Sequence, residues 1–124
     1  MPIQRINPSK LWSDVTIYHG IAHFVEVAES EPLGDIREQV SAILAQADNK
    51  LQLIGSDRSR VLAVTIYLTD FANAAVLNEL WEAWFPEGCA PSRVCVKAEL
   101  ADPQYLLEMA FVAAAGEPGY AEGR

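Results

Sequence analysis

The run APSRVCVKAEL at residues 90–100, followed after a short polar break by YLLEMAFVAA at 105–114, decides how this chain is read. Val94, Cys95 and Val96 favour an extended backbone, yet Arg93, Lys97 and Glu99 are interleaved with them. The four-residue break ADPQ (101–104) suits a β-hairpin, with Leu100 opposite Tyr105 and Lys97 opposite Glu108. Side chains alternate along a strand. The expected apolar face therefore carries Val94, Val96, Ala98, Leu100, Tyr105, Leu107, Met109 and Phe111. The other carries Arg93, Cys95, Lys97, Glu99 and Glu108, turned away from the helices. A register slip of one residue would exchange the two faces.

Upstream, DVTIYH (14–19) and IAHFVEV (21–27) flank Gly20 and predict a hairpin, with a shorter strand at 3–6. Asp35 can cap a helix carrying Ile36, Val40, Ile43, Leu44, Ala47, Leu51 and Ile54 at helical spacing, and Gly55 ends it. The run VLAVTIYL (61–68) is apolar on both faces and predicts a central, doubly covered strand. A second helix at about 73–85, capped by Asn73 or Asp70, carries Leu77, Leu80, Trp81 and Trp84 and stops before Pro86. The order β-β-β-α-β-α-β-β is an α+β domain with two helices on one face of a sheet. One domain over 1–115 and a mobile tail over 116–124, GEPGYAEGR, are expected.

The 124 residues suffice for one core, and hydrophobic residues are 51% of the chain. A formal net charge of −8 argues against a nucleic-acid partner. The sequence contains no stretch near the roughly 20 apolar residues of a membrane span. Its opening, MPIQRINPSK, lacks the apolar core of a signal peptide. Cys89 and Cys95 are too few for a disulfide framework. A cytoplasmic protein with free thiols is the expectation.

Several side chains have a chemical and a plainer reading. The Arg93 fork suits a carboxylate, or is a solvated strand end. Glu108, enclosed by LL and MAF, needs a partner or a raised pKa; an ion pair with Lys97 across the hairpin is the plainer reading. His19 and His23 have a His-x3-His spacing, but Gly20 turns the chain between them and no third ligand is evident. Cys95 reads as a buried inert thiol, Cys89 as loop. Trp81, Trp84 and Phe85 are core or interface, and no Gly-rich phosphate loop is present.

Over about residues 3–114 the chain resembles the Rid family, the YjgF-like reactive intermediate deaminases. The resemblance lies in the Pro-x-Arg-x-x-Val strand of APSRVCVKAEL, the short turn, and the strand with a central Glu in YLLEMAFVAA. The interval from Arg93 to Glu108, the segment VTIYLTDFANAAVLNELWEAWF and the opening LWSDV support it, the last resembling a YoaB-like subgroup. The resemblance implies a chorismate-mutase-like fold and a homotrimer with clefts between subunits. It implies hydrolysis of 2-imino and 2-enamino acids, such as 2-aminoacrylate, to keto acids and ammonia, with no metal or organic cofactor. Arg93 would then grip the substrate carboxylate, and Glu108 would hold the attacking water. Cys95 would line the pocket largely through its backbone, and Trp12 would stand where many members place an aromatic residue. One departure is HFVEVAES, which puts Val25 and Glu26 near a small-residue pair of many members. A Glu26 side chain would narrow the pocket or repel acidic substrates. That departure favours an alternative, a trimeric binding protein for a small carboxylate or a partner protein without turnover. Ribonuclease activity, reported for some relatives, fits poorly with the net charge and the lack of a basic patch.

Overall fold

The computed structural model describes residues 2–116. The expected tail therefore lies, from residue 117 onward, outside the described residues. Six strands form one mixed sheet in the order β1-β2-β3-β6-β4-β5. They are β1 (Gln4–Ile6), β2 (Val15–Tyr18), β3 (Ile21–Glu26), β4 (Val61–Leu68), β5 (Ser92–Lys97) and β6 (Leu107–Ala114), with α1 (Ile36–Leu53) and α2 (Ala74–Trp84) between them. His19 and Gly20 both adopt positive φ, 51° and 76°, and close the β2–β3 hairpin as a two-residue turn.

Local signals set the helix limits. Asp35 accepts from the Glu38 amide at 2.9 Å while Glu38 accepts from the Asp35 amide at 3.1 Å, a reciprocal capping box at the start of α1. At its end Gly55 takes φ 71°. The Ser56 amide then bonds Leu51 O at 2.8 Å and the Gly55 amide bonds Gln52 O at 3.1 Å, which satisfies the last carbonyls. Asp70 caps a short 3-10 turn over Phe71–Asn73 that leads into α2; Asn73 makes no side-chain cap.

The buried stripes of α1 (Val40, Ile43, Leu44, Ala47, Leu51) and of α2 (Leu77, Trp81, Trp84) join one face of the sheet in a single hydrophobic cluster. That face contributes Val15, Ile17, Ala22, Phe24, Val64, Ile66, Leu68, Leu107, Met109 and Phe111. Gln39 is buried within it and saturates its amide. Its Nε2 donates to Gly34 O (3.1 Å) and Gln104 O (3.0 Å), and its Oε1 accepts from the Leu106 amide (2.9 Å). Helix α1 is thereby fastened to the segment that leads into β6.

The expected hairpin between the last two strands is not formed. β4 lies between them, parallel to β5 and antiparallel to β6. Backbone bonds from Ala98 to Leu68 O and from Thr69 to Leu106 O carry the chain past the end of β4. This agrees with the doubly apolar run at 61–68, which is paired along both edges, and it reverses the faces of β5. Arg93, Cys95 and Lys97 align with Val64, Ile66 and Leu68, and so lie on the helix side. Val94 and Val96 align with Thr65 and Tyr67 on the open side. The reading for β6 stands: Leu107, Met109 and Phe111 face the helices and Glu108 faces away.

Candidate functional site

The sheet face opposite the helices is the floor of a cleft of about 750 Å³. The rows of that whole sheet face, of which Tyr67, Val94 and Val96 lie beyond the cleft lining, follow from register. One runs Thr16, His23, Val112, Ala63; the next Val25, Ala110, Thr65, Val94; the third Glu108, Tyr67, Val96. The expected polar face is therefore mostly apolar. Val25 and Val94 are each 56% exposed, where a β-branched side chain gains little from water.

Glu108 is half-buried on this floor. Among the described residues its carboxylate makes no hydrogen bond or ion pair. The expected pair with Lys97 is ruled out by the faces, because Lys97 aligns with Leu68 and Glu108 with Tyr67.

Trp12 lines the same cleft from the β1–β2 loop and is 67% exposed. Ser9 builds that loop. Its hydroxyl accepts from the Leu11 and Trp12 amides at 3.2 Å, and its amide donates to Trp12 O at 2.8 Å. Asn7, at φ 51°, donates to Asp14 Oδ2 at 3.1 Å across the loop base. An indole on a braced loop thus lines the same cleft as the Glu108 carboxylate.

Arg93 stands elsewhere. It is exposed at the start of the edge strand β5, on the helix side, with its guanidinium carbon 5.3 Å from the centre of the Trp81 ring. Cys95, on the same side, is half-buried against the core. The expectation that Arg93 and Glu108 share a face is thus corrected. Within one chain the sheet itself separates them.

Glu26 is held by the protein itself. It reaches the rim of the cleft, but its side chain is only 2% exposed and is held at α1. Oε2 accepts from Lys50 Nζ at 2.7 Å and Oε1 from Gln46 Nε2 at 2.9 Å. The carboxylate meets the cleft as an ion pair with Lys50, which also lines it, and Val25, its neighbour in β3, lies on the floor. His19 sits in the turn and His23 on the floor. Among the described residues no group of three or more His, Cys, Asp or Glu side chains could hold a metal ion, and no helix is long and apolar enough to cross a membrane.

Sequence reasoning missed Lys50, Thr65, His23 and Thr16 as lining residues. The alternation within DVTIYH and IAHFVEV carried part of that signal, since it puts Thr16 and Tyr18 on one face and His23 and Val25 on one face. Which of these faces met the cleft depended on how the strands pair.

The fold and the site define a class: a small α+β protein whose mixed sheet is covered by helices on one side and bears an open, carboxylate-containing cleft on the other. The model of the family described as Endoribonuclease L-PSP matches residues 4–115. The RutC family protein YoaB of Escherichia coli (strain K12) is 40% identical over 114 residues, 92% of this chain and 99% of that protein. A RutC family protein of Haemophilus influenzae is 38% identical over 114 residues, 91% of this chain and 98% of that one. Among solved structures, NMB1025, a member of the YjgF protein family from Neisseria meningitidis, superposes with TM-score 0.88 at 32% identity, covering 95% of this chain and 98% of that one. An uncharacterized protein from Pseudomonas aeruginosa superposes with TM-score 0.87 at 41% identity, covering 92% and 99%. The chain belongs to the Rid/YjgF family.

Proposed function

We propose that this protein is a cytoplasmic homotrimer that hydrolyses 2-imino and 2-enamino acids to 2-keto acids and ammonia, in clefts that two subunits complete. The observation that carries this reading is Glu108, a carboxylate without a partner among the described residues, on a mostly apolar, uncovered sheet face. Such a group is suited to hold a water. Arg93 is the complementary half: an exposed guanidinium at an open sheet edge, in the family's position, with no carboxylate partner among the described residues. The sheet keeps the two apart in one chain, so a shared substrate requires Arg93 of one subunit at the Glu108 face of the next.

The chemistry then balances without a cofactor. Arg93 fixes the substrate carboxylate through two parallel N–H donors. Glu108 takes a proton from water as its oxygen adds to the imine carbon, and passes that proton to the nitrogen as the C=N bond becomes a single bond. The carbinolamine then collapses: Glu108 takes the hydroxyl proton as the C=O bond forms and delivers it to the nitrogen as the C–N bond breaks and ammonia leaves. An enamine first takes a proton at its β-carbon and loses one from nitrogen to become the imine. Orientation of a short-lived substrate supplies much of the acceleration.

The test is Glu108→Ala on imino acids generated in situ. The expected result is a fall in turnover of roughly 10²-fold or more. Light scattering on the wild type should give about three times the 13.6 kDa chain mass. A Glu108→Ala protein with undiminished turnover would remove Glu108 from the chemistry, and a wild-type protein that leaves imino acids unhydrolysed would favour the binding-protein reading.

A further inference from the structure

Among the described residues two arginines lie over tryptophan rings, and they are used differently. The Arg58 guanidinium carbon is 4.7 Å from the centre of the Trp84 ring. Its fork, however, is spent: Nε and Nη2 donate to Asp48 at 2.9 and 2.6 Å, and Nη1 to Trp84 O at 3.0 Å. That group ties α1 to the end of α2. Arg93 lies 5.3 Å from the centre of Trp81, and among the described residues it makes no hydrogen bond or ion pair. A ring face attracts the cation but takes no N–H, so all five donors stay available.

Trp81 is itself held firmly. It is 6% exposed in the buried stripe of α2, and its ring centre is 4.8 Å from that of Phe85. Arg93 by contrast is exposed on an edge strand. An arginine there would otherwise spread over many rotamers, each of which must be given up on binding.

We infer that Trp81 is a positioning residue: its ring parks the Arg93 guanidinium with its donors unspent, so that a 2-imino acid carboxylate meets a pre-oriented fork. This rests on the proposed role of Arg93 as carboxylate anchor. The ring acts on binding, not on the reacting atoms, so its loss raises KM and leaves kcat largely alone.

The experiment compares Trp81→Leu, Trp81→Phe and Arg93→Ala on a 2-imino acid and on an imine lacking the carboxylate. Trp81→Leu should raise KM for the imino acid about 3- to 10-fold, with little change in kcat and none for the carboxylate-free imine. Trp81→Phe should recover part of the loss, and neither change should add to Arg93→Ala. If Arg93→Ala affects both substrates alike or neither, the anchor reading fails. If Arg93→Ala is selective for the carboxylate but Trp81→Leu affects both substrates equally, the positioning role fails and the anchor stands. Nuclear magnetic resonance of the wild type decides the matter should the leucine variant not fold. The Arg93 side-chain protons should be shifted upfield by the indole ring current, and less so in Trp81→Phe. Unshifted Arg93 resonances in the wild type overturn the proposal.

Discussion

Arg93 and Glu108 stand on opposite faces of one sheet and three register positions apart: Arg93 aligns with Val64, Glu108 with Tyr67 of the strand between them. A site that uses both in one catalytic event draws them from different chains. Complementation tests this. Arg93→Ala and Glu108→Ala, each strongly impaired alone on a 2-imino acid, should regain about a quarter of wild-type activity when unfolded together and co-refolded at equal concentrations. At random mixing, half the arginine donors and half the glutamate donors are intact. Mixtures that stay inactive despite forming mixed oligomers would place both residues' work within one chain.

The open face carries Val25 and Val94, both 56% exposed, beside Tyr67, Ala110 and Val112. A charge there costs little in an isolated chain and much in a covered interface. Val94→Asp should therefore shift sedimentation toward a single chain and leave far-ultraviolet circular dichroism unchanged. An oligomer indifferent to the change would mean that this face is not the contact.

Glu26 is buried and depends on Lys50 at 2.7 Å and Gln46 at 2.9 Å. Lys50→Met strands a carboxylate in the core and should cost about 3–5 kcal/mol in urea unfolding. Adding Glu26→Leu should restore much of that stability, because the uncompensated charge is then gone. A double variant no more stable than Lys50→Met alone would locate the cost in packing around α1.

Gln39 satisfies Gly34 O, Gln104 O and the Leu106 amide at once. Gln39→Leu keeps the apolar bulk and removes all three bonds. The expected cost is about 2–4 kcal/mol, with faster hydrogen exchange at the Leu106 amide. Unchanged exchange there would show that water replaces the side chain without loss.

Much was legible in the residues alone because the deciding interactions were local. Apolar spacing from Ile36 to Leu51, the Asp35 cap and Gly55 mark α1 within its own turns. Alternation marks β6, and the doubly apolar run at 61–68 marks a strand paired along both edges. The Arg93 and Glu108 pattern identified the family, whose matched model spans residues 4–115.

Only the tertiary structure decided which strand lies beside which. A period of two states which residues of one strand share a face, but not which faces of different strands coincide. The polar break at 101–104 favoured a local hairpin, whereas the fold inserts β4 between β5 and β6 and changes the parity of β5 by one. That single step sends Arg93 to Trp81 instead of Glu108 and turns a polar open face into an apolar one. Glu26 is the same lesson at one residue. Its sequence neighbours point to a cleft, but Lys50 and Gln46, far along the chain on α1, claim its carboxylate, and only packing brings them within hydrogen-bond reach.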